Sequence, residues 1–300
     1  MKDFDYLVVA GPTASGKSSL ALKLAKELSG HIINCDSVQV YRDFDIGSAK
    51  PTLEERSAVS HHLFDIVDGG EEFDAARYKK LCEETIQLVK DRGNLPIVVG
   101  GTGLYLRALL GQDFHDLPKD QALRDKLKNY STEELLRIVK EKNPERLSQI
   151  HVNDRFRLER AAELSLLLKE PLADIHQTNV STARSNPFVI YLKVPRPQLH
   201  KRIALRVDAM IEDGLIEETR RLYHQYGKCK PLQSIGYKQV VDYLEGNLTL
   251  EDLPEKIVVA TRQYAKRQET WFKKTPIDFS FSNPSDYDPL KSQLVPDPLA

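Results

Sequence analysis

The sequence predicts an α/β fold: a parallel-sheet core, a helical insertion and a helical C-terminal region. Three observations carry that prediction. Short β-branched runs alternate with amphipathic stretches over the first hundred residues, in the strand, helix, strand order that requires crossover connections. Strand character then disappears between about Leu117 and Asn186. FVIYLKV, Phe188 to Val194, restores it before further helical segments run to about Lys274. The expected divisions are residues 1–116 for the first part of the core, 117–186 for the insertion, and 187–275 for completion of the core and the C-terminal helices. Residues 276–300, rich in Pro, Ser and Asp, are expected to form a loosely held tail.

Each element has its own signal. YLVVA, Tyr6 to Ala10, is a continuous apolar run of strand length. After a glycine-bracketed loop, SSLALKLAKELSG spaces Leu20, Leu24 and Leu28 four residues apart, one face of a helix that Gly30 would end. IINCD, Ile32 to Asp36, is a second strand whose last residue is a carboxylate, and HLFDIV, His62 to Val67, is a weaker third. EEFDAARYKKLCEETIQLVKDRG forms a long helix stopped at Gly93, and the following LPIVVGG is the clearest buried strand in the chain. Within the insertion, helices are expected over Gln121–Tyr130, Thr132–Lys142 and Arg155–Lys169.

Composition sets outer limits. A chain of 300 residues, 41% hydrophobic and 29% charged, is neither a disordered tail protein nor collagen-like. Its 43 Lys and Arg against 44 Asp and Glu give a net charge of −1, so the total neither marks nor forbids a nucleic-acid partner. The apolar run at Tyr6 is far too short for a membrane span or a secretory core, so a cytoplasmic chain without a membrane partner is expected, acting as a monomer. Cys35, Cys82 and Cys229 are odd in number and lack CxxC spacing, which excludes a disulfide framework or zinc ribbon; Cys35 and Cys82 are expected as core thiols.

The sharpest local signal is GPTASGKS, Gly11 to Ser18, which fits the P-loop pattern between a predicted strand and a predicted helix. The core is therefore expected to be P-loop NTPase-like. Gly11, Thr13, Ala14, Ser15, Gly16, Lys17 and Ser18 are the candidate phosphate-binding residues: backbone N–H groups and a helix N-terminus surround an anion, Lys17 adds a charge, and the Ser18 hydroxyl can ligate Mg²⁺. On this motif alone the default is a nucleotide-binding, ATP-dependent kinase or NTPase. In an open parallel sheet the crevice lies beyond the carboxyl ends of the strands, where the loop, Asp36, Asp65 and Thr102 would converge. The hydrolase reading weakens because the best buried strand ends in Gly100, Gly101 and Thr102 rather than in a metal-holding carboxylate. Asp65 is left with two roles, a metal carboxylate or a capping one.

GPTASGKS together with DSVQVYRDFDIGSAKP (Asp36 to Pro51), HHLFD (His61 to Asp65), GGTGLYLRALL (Gly100 to Leu110), NDRFRLERAAE (Asn153 to Glu163), SIGYKQ (Ser234 to Gln239) and TRQYAKRQETWF (Thr261 to Phe272) resembles the signature blocks of the bacterial tRNA dimethylallyltransferases, also called tRNA isopentenyltransferases. The blocks occur in that family's order and span nearly the whole chain. The resemblance implies Mg²⁺-assisted transfer of a dimethylallyl group from dimethylallyl pyrophosphate to the exocyclic amine of the adenine 3′ of the anticodon, with the P-loop holding the isoprenoid diphosphate rather than ATP. It implies Asp36 as proton acceptor, Thr102 near the same base, and Arg206, in the block LHKRIALRVDAMIEDG, as stabiliser of the leaving group in preference to Arg202. It further implies contact with the tRNA anticodon stem–loop by Asp36, Ser37, Val38, Gln39 and Thr102, by Arg124, Arg157 and Arg160 of the insertion, and by Gly236, Tyr237, Lys238 and Gln239. Gln39 is expected to meet an adenine edge through both its donor and its acceptor, and Tyr237, Tyr264 and Trp271 to offer faces for stacking. Lys238 stands where the family more usually has arginine, which removes bidentate contact there. An adenylate isopentenyltransferase, a small-molecule kinase with a helical lid and a catalytically silent RNA-binding module are the rival readings.

Overall fold

In the computed structural model, residues 4–111, 117–168, 185–283 and 286–294 are described. Strands β1 (Tyr6–Ala10), β2 (Gly30–Cys35), β3 (His61–His62), β4 (Leu95–Gly100), β5 (Pro187–Leu192) and β6 (Phe279–Phe281) form one parallel sheet in the order β3-β2-β4-β1-β5-β6. The central position of β1 follows from its sequence. All five of its residues are buried, and a strand covered on both faces needs an unbroken apolar run rather than an alternating one. Its neighbours are β4, with Val8 opposite Val98, and β5, with Val8 opposite Val189. A parallel neighbour demands a crossover, supplied on the β4 side by helices α1 (Lys17–Glu27) and α3 (Ala75–Asp91).

Helix α1 turns Leu20, Ala21, Leu24 and Ala25 onto the sheet, where they meet Leu7, Val9, Ile97 and Phe188. Helix α3 starts where the Asp74 carboxylate accepts the N–H groups of Ala76 and Arg77, each at 3.0 Å, and buries Tyr78, Cys82, Ile86 and Val89. Its end at Gly93 (φ +73°) is where the sequence places it. The short helices α2 (Leu53–Ala58) and α4 (Gly103–Leu109) follow β2 and β4.

Three expectations are corrected. Gly30 does not stop α1: the helix ends at Glu27, Ser29 makes the turn at φ +49°, and Gly30 already pairs with Leu95 in β2. The third strand is two residues long rather than six, because Leu63 and Asp65 take positive φ and lead the chain away from the sheet. Residues 276–300 are not simply a loose tail. Strand β6 adds to the sheet edge beside β5, and the last described helix (Tyr287–Leu294) puts Tyr287, Leu290 and Leu294 into the core against α1 and β5. Residues 112–116 of the expected first core segment, 169–184 of the expected insertion (including the predicted helix end at Lys169), and 284–285 and 295–300 of the expected tail lie outside the described residues.

The chain divides into two compact units, Met1–Leu110 with Ser185–Ala300, and Gly111–Arg184. The second holds α5 (Gln121–Leu127), α6 (Thr132–Lys142), α7 (Pro144–Leu147) and α8 (Arg155–Leu167) around its own apolar centre of Leu127, Leu135, Val139, Leu158, Ala161 and Ala162. Helix α6 opens with a capping box between Ser131 and Glu134. In the first unit the chain continues from β5 through α9 (Arg196–Glu212), α10 (Leu215–Tyr226), α11 (Tyr237–Leu244) and α12 (Leu253–Phe272) to β6, and α13 is Tyr287–Leu294. No helix among the described residues is long and apolar enough to cross a membrane.

Candidate active site

The carboxyl ends of β1, β2 and β4 open into one cleft of about 710 Å³ in the first unit. Helices α9 and α12 complete its lining with Arg202, Arg206, Thr261, Tyr264, Arg267 and Gln268. Gly11 to Ser18 runs from β1 into α1, with Gly16 in the left-handed region (φ +94°) at the N-cap and Ala14 at φ +60°. The Ser15 N–H donates to the Pro12 carbonyl at 3.2 Å, closing the loop on itself, and Lys17 Nζ donates to the same carbonyl at 3.3 Å. Desolvation lowers Lys17 to about 8, the nearby Arg206 adds to the effect, and Asp36 opposes it. Burial also lowers Arg206, again against the pull of Asp36. One carboxylate thus faces two cations crowded together without an anion between them.

The phosphate-binding candidates lie on this one loop, but their amides are not equivalent. The Thr13 N–H donates at 2.9 Å to Gln268 Oε1 on α12 and is thereby committed to the protein. Arg202, ranked behind Arg206 by sequence, lays Nη1 3.2 Å from the Ser15 carbonyl and so touches the loop directly, while Arg206 lines the same cleft near Lys17. The Ser18 side chain is exposed in the first turn of α1 and lines the cleft.

Asp36 follows β2 and is held by Asn34, whose Oδ1 accepts the Asp36 N–H at 2.9 Å while Nδ2 donates to the carbonyls of Asp36 and Leu63. Its own Oδ1 accepts the N–H groups of Val38 (2.9 Å) and Gln39 (3.4 Å). Turn capping and presence in the cleft therefore coexist in one side chain: Oδ1 fixes the turn, and Oδ2 has no hydrogen bond among the described residues. Thr102 occupies the N-cap position of α4, yet its hydroxyl accepts the Ser37 N–H at 3.1 Å instead of capping the helix, and the Tyr264 phenol lies against it.

Gln39 departs from expectation. Its Nε2 donates to the carbonyls of Ser48 (2.9 Å) and Ala49 (3.1 Å), and two carbonyl partners fix that atom as nitrogen. Only Oε1 remains, so the side chain cannot offer donor and acceptor together. The loop it grips is anchored by Glu218 of α10, a buried carboxylate that accepts the N–H groups of Asp45 (3.2 Å), Ile46 (2.9 Å) and Gly47 (3.1 Å) and the Tyr237 hydroxyl (2.6 Å). Residue 47 has to be glycine because a Cβ there would fall 2.5 Å from the Tyr237 ring. Tyr237 itself is 0% exposed, and burial together with Glu218 raises its hydroxyl pKa far above the usual value, so it presents no face to a base. Gly236 and Gln239 are joined by an N–H to Oε1 bond of 2.8 Å at the start of α11, and Lys238 is exposed.

Asp65 stands in an ion-paired cluster that the sequence did not suggest. Desolvation alone would raise it, but Lys50 and Arg56, each 2.6 Å away, hold its carboxyl below the ordinary range, and that ion-paired cluster occupies both oxygens. Among the described residues no group of three His, Cys, Asp or Glu side chains is placed to hold a metal.

In the second unit the three arginines separate by role. Arg124 Nε lies 2.9 Å from both oxygens of Glu163, which is 1% exposed. Arg160 binds the same carboxylate and the carbonyls of Leu117 and Pro118. Both are engaged in holding the unit together, whereas Arg157 makes only a surface pair with Asp154 at 3.3 Å and its side chain is 69% exposed.

A family model described as IPP transferase matches residues 39–275. The chain belongs to the IPP transferase family. That match begins after Asp36, but family relatives align over most of the chain. The tRNA dimethylallyltransferase 1 of Citrifermentans bemidjiense is 44% identical over 276 residues, covering 91% of this chain and 90% of that protein. The tRNA dimethylallyltransferase of Koribacter versatilis is 42% identical over 282 residues, covering 92% of each. Among solved structures, the tRNA isopentenylpyrophosphate transferase of Bacillus halodurans superposes with a TM-score of 0.70 at 38% identity, covering 96% of this chain and 94% of that one. A eukaryotic dimethylallyltransferase, in crystallographic snapshots acting on tRNA, gives a TM-score of 0.81 at 30% identity and covers 97% of this chain and 77% of that one.

Sequence reasoning passed over Gln268, Glu218 and Asn34. For Gln268 a signal was present: Ile257, Thr261, Tyr264 and Gln268 recur at intervals of four, three and four on α12, one helical face, and all four line the cleft.

Proposed function

We propose that this IPP transferase moves a dimethylallyl group from dimethylallyl pyrophosphate to the exocyclic amine of the adenine 3′ of the anticodon in tRNA, releasing pyrophosphate. The observation that supports it best is the placing of an anion-gripping loop and a carboxylate, Asp36, in one cleft that also holds Arg202 and Arg206. A diphosphate leaving group asks for a polyanion site and no machinery for attack on phosphorus. The allylic C–O bond breaks as the N–C bond forms, its electron pair leaves with the diphosphate, and the amine loses a proton. Lys17, the loop amides other than those of Thr13 and Ser15, and Arg206 neutralise the charge gathering on the departing oxygens. Asp36 Oδ2 takes the proton while Oδ1 keeps the carboxylate fixed to the turn.

Mg²⁺ suits this donor set. The protein brings one exposed hydroxyl, Ser18, and a bound diphosphate and water would bring the remaining oxygens that so strongly hydrated an ion prefers. When bound, it supplies further neutralisation of the leaving group. Contact with the anticodon stem–loop is assigned to the lip of the cleft at Ser37 to Gln39 and Gly236, and to the exposed Arg157 and Lys238.

The test offers labelled dimethylallyl pyrophosphate with bulk tRNA, AMP or ATP as acceptor. Label is expected in tRNA alone. Label in AMP or ATP would make this an adenylate isopentenyltransferase, and ATP consumption without label transfer would make it a kinase.

A further inference from the structure

We infer that Gln268 is a positioning residue that sets the alignment of donor and acceptor by tying the diphosphate loop to the loop beside the acceptor base. The inference rests on the transfer reading above. Gln268 projects from α12 and is 6% exposed, with both polar atoms engaged. Its Oε1 accepts the Thr13 N–H at 2.9 Å, and its Nε2 donates to the Gly101 carbonyl at 2.8 Å. Thr13 lies within the anion-binding loop. Gly101 precedes Thr102, whose hydroxyl receives the N–H of Ser37, the residue after Asp36. A single planar carboxamide thus links the diphosphate grip to the turn that aims the proton acceptor.

The space around Gln268 is shaped for that group. A Cβ on residue 101 would stand 2.3 Å from Nε2 and 3.0 Å from the Gly11 carbonyl, so Gly101 is what lets the carboxamide enter between the two loops. A carboxylate of the same shape would serve Thr13 but would set oxygen against the Gly101 carbonyl. A protonated carboxyl would serve both, accepting from Thr13 and donating to Gly101.

That difference provides the test, made on the full chain with tRNA and dimethylallyl pyrophosphate. Gln268→Leu is expected to reduce kcat by about 10²-fold, the usual consequence of a misplacement near 1 Å. Its KM for either substrate and its affinity for inorganic pyrophosphate should change no more than about threefold. Gln268→Glu is expected to be similarly impaired at about pH 8, and its activity relative to the unsubstituted chain should recover as pH falls towards about 5.5, where a buried carboxyl regains its proton. The relative activity of Gln268→Leu should stay flat over that range. Wild-type kcat in Gln268→Leu, or a Gln268→Glu ratio that does not vary with pH, overturns the inference. If Gln268→Leu fails to fold, the Gln268→Glu ratio alone decides. An unsubstituted chain that transfers nothing overturns the transfer reading and this inference with it, whereas an active chain beside a fully active Gln268→Leu overturns the inference alone.

Discussion

Lys17 reports on what the cleft contains. With the loop empty, desolvation and Arg206 hold it near 8, so above that pH much of the population is neutral. A bound diphosphate favours the charged form and raises the pKa again, so binding takes up a proton in that range. The Lys17 contribution to pyrophosphate affinity, read as the ratio of the unsubstituted chain to Lys17→Ala, should therefore be level below pH 8 and fall above it, by at most about tenfold per pH unit. Calorimetry in buffers of different ionisation enthalpy measures the proton uptake directly, and equal uptake by the unsubstituted chain and Lys17→Ala at pH 8.5 would show that Lys17 is already charged before binding. At Asp36 the expectation concerns rate: Asp36→Asn should lose about 10²- to 10⁴-fold in turnover while tRNA affinity stays nearly unchanged. Near-normal single-turnover rates would remove Asp36 from the proton-accepting role. Both residues were legible in the sequence because their context is local, a strand followed at once by a loop. Glu218 was not, and of Gln268 only its helical face was, because their partners lie about 172 and 255 residues away along the chain.

Among elements, the decisive contrast is between arginines that build α8's surroundings and the one that faces solvent. Arg160→Ala removes one of the two arginines on Glu163, which keeps Arg124 and the Asp120 N–H, and should lower the second unit's stability by about 1.5–3 kcal/mol. Arg157→Ala should leave stability unchanged and weaken tRNA binding, lessening the slope of log affinity against log salt by roughly one. Urea titration paired with binding at several salt concentrations checks both, and an unaltered salt slope in Arg157→Ala would take Arg157 off the RNA surface. The sequence showed three of the second unit's helices, α6 to the residue, since Ser131 and Glu134 mark its start. It did not show that Arg124 of α5 and Arg160 of α8 share the buried Glu163, because a charge pattern along one helix does not reveal which neighbour buries it. The same blindness applied to Asp65, whose partners Lys50 and Arg56 converge only once the chain has turned away from β3.

For the whole molecule, the sheet order decides what can be removed. Deleting residues 276–300 takes away β6 and, with α13, the burial of Tyr287, Leu290 and Leu294. At about 1.5–3 kcal/mol for each of three large buried side chains, the loss rivals the net stability of many domains. The shortened chain should melt far below the full one, if it remains soluble at all, and an equal melting temperature would return this segment to the role of a loose tail. Composition misled here because Pro, Ser and Asp dominate the count, while the few apolar positions that matter are scattered among them.

The strand that launches the anion-binding loop borrows one flank from residues 187–192 and, beyond that, an outer edge from residues 279–281. During synthesis the loop is therefore made well before two of the strands that complete the platform beneath it. Helices 121–167 carry a centre of their own and have no need to wait. The earliest-made part of the cleft is thus completed late, and a product that stopped before residue 187 would carry the loop on a strand supported on its β4 side alone.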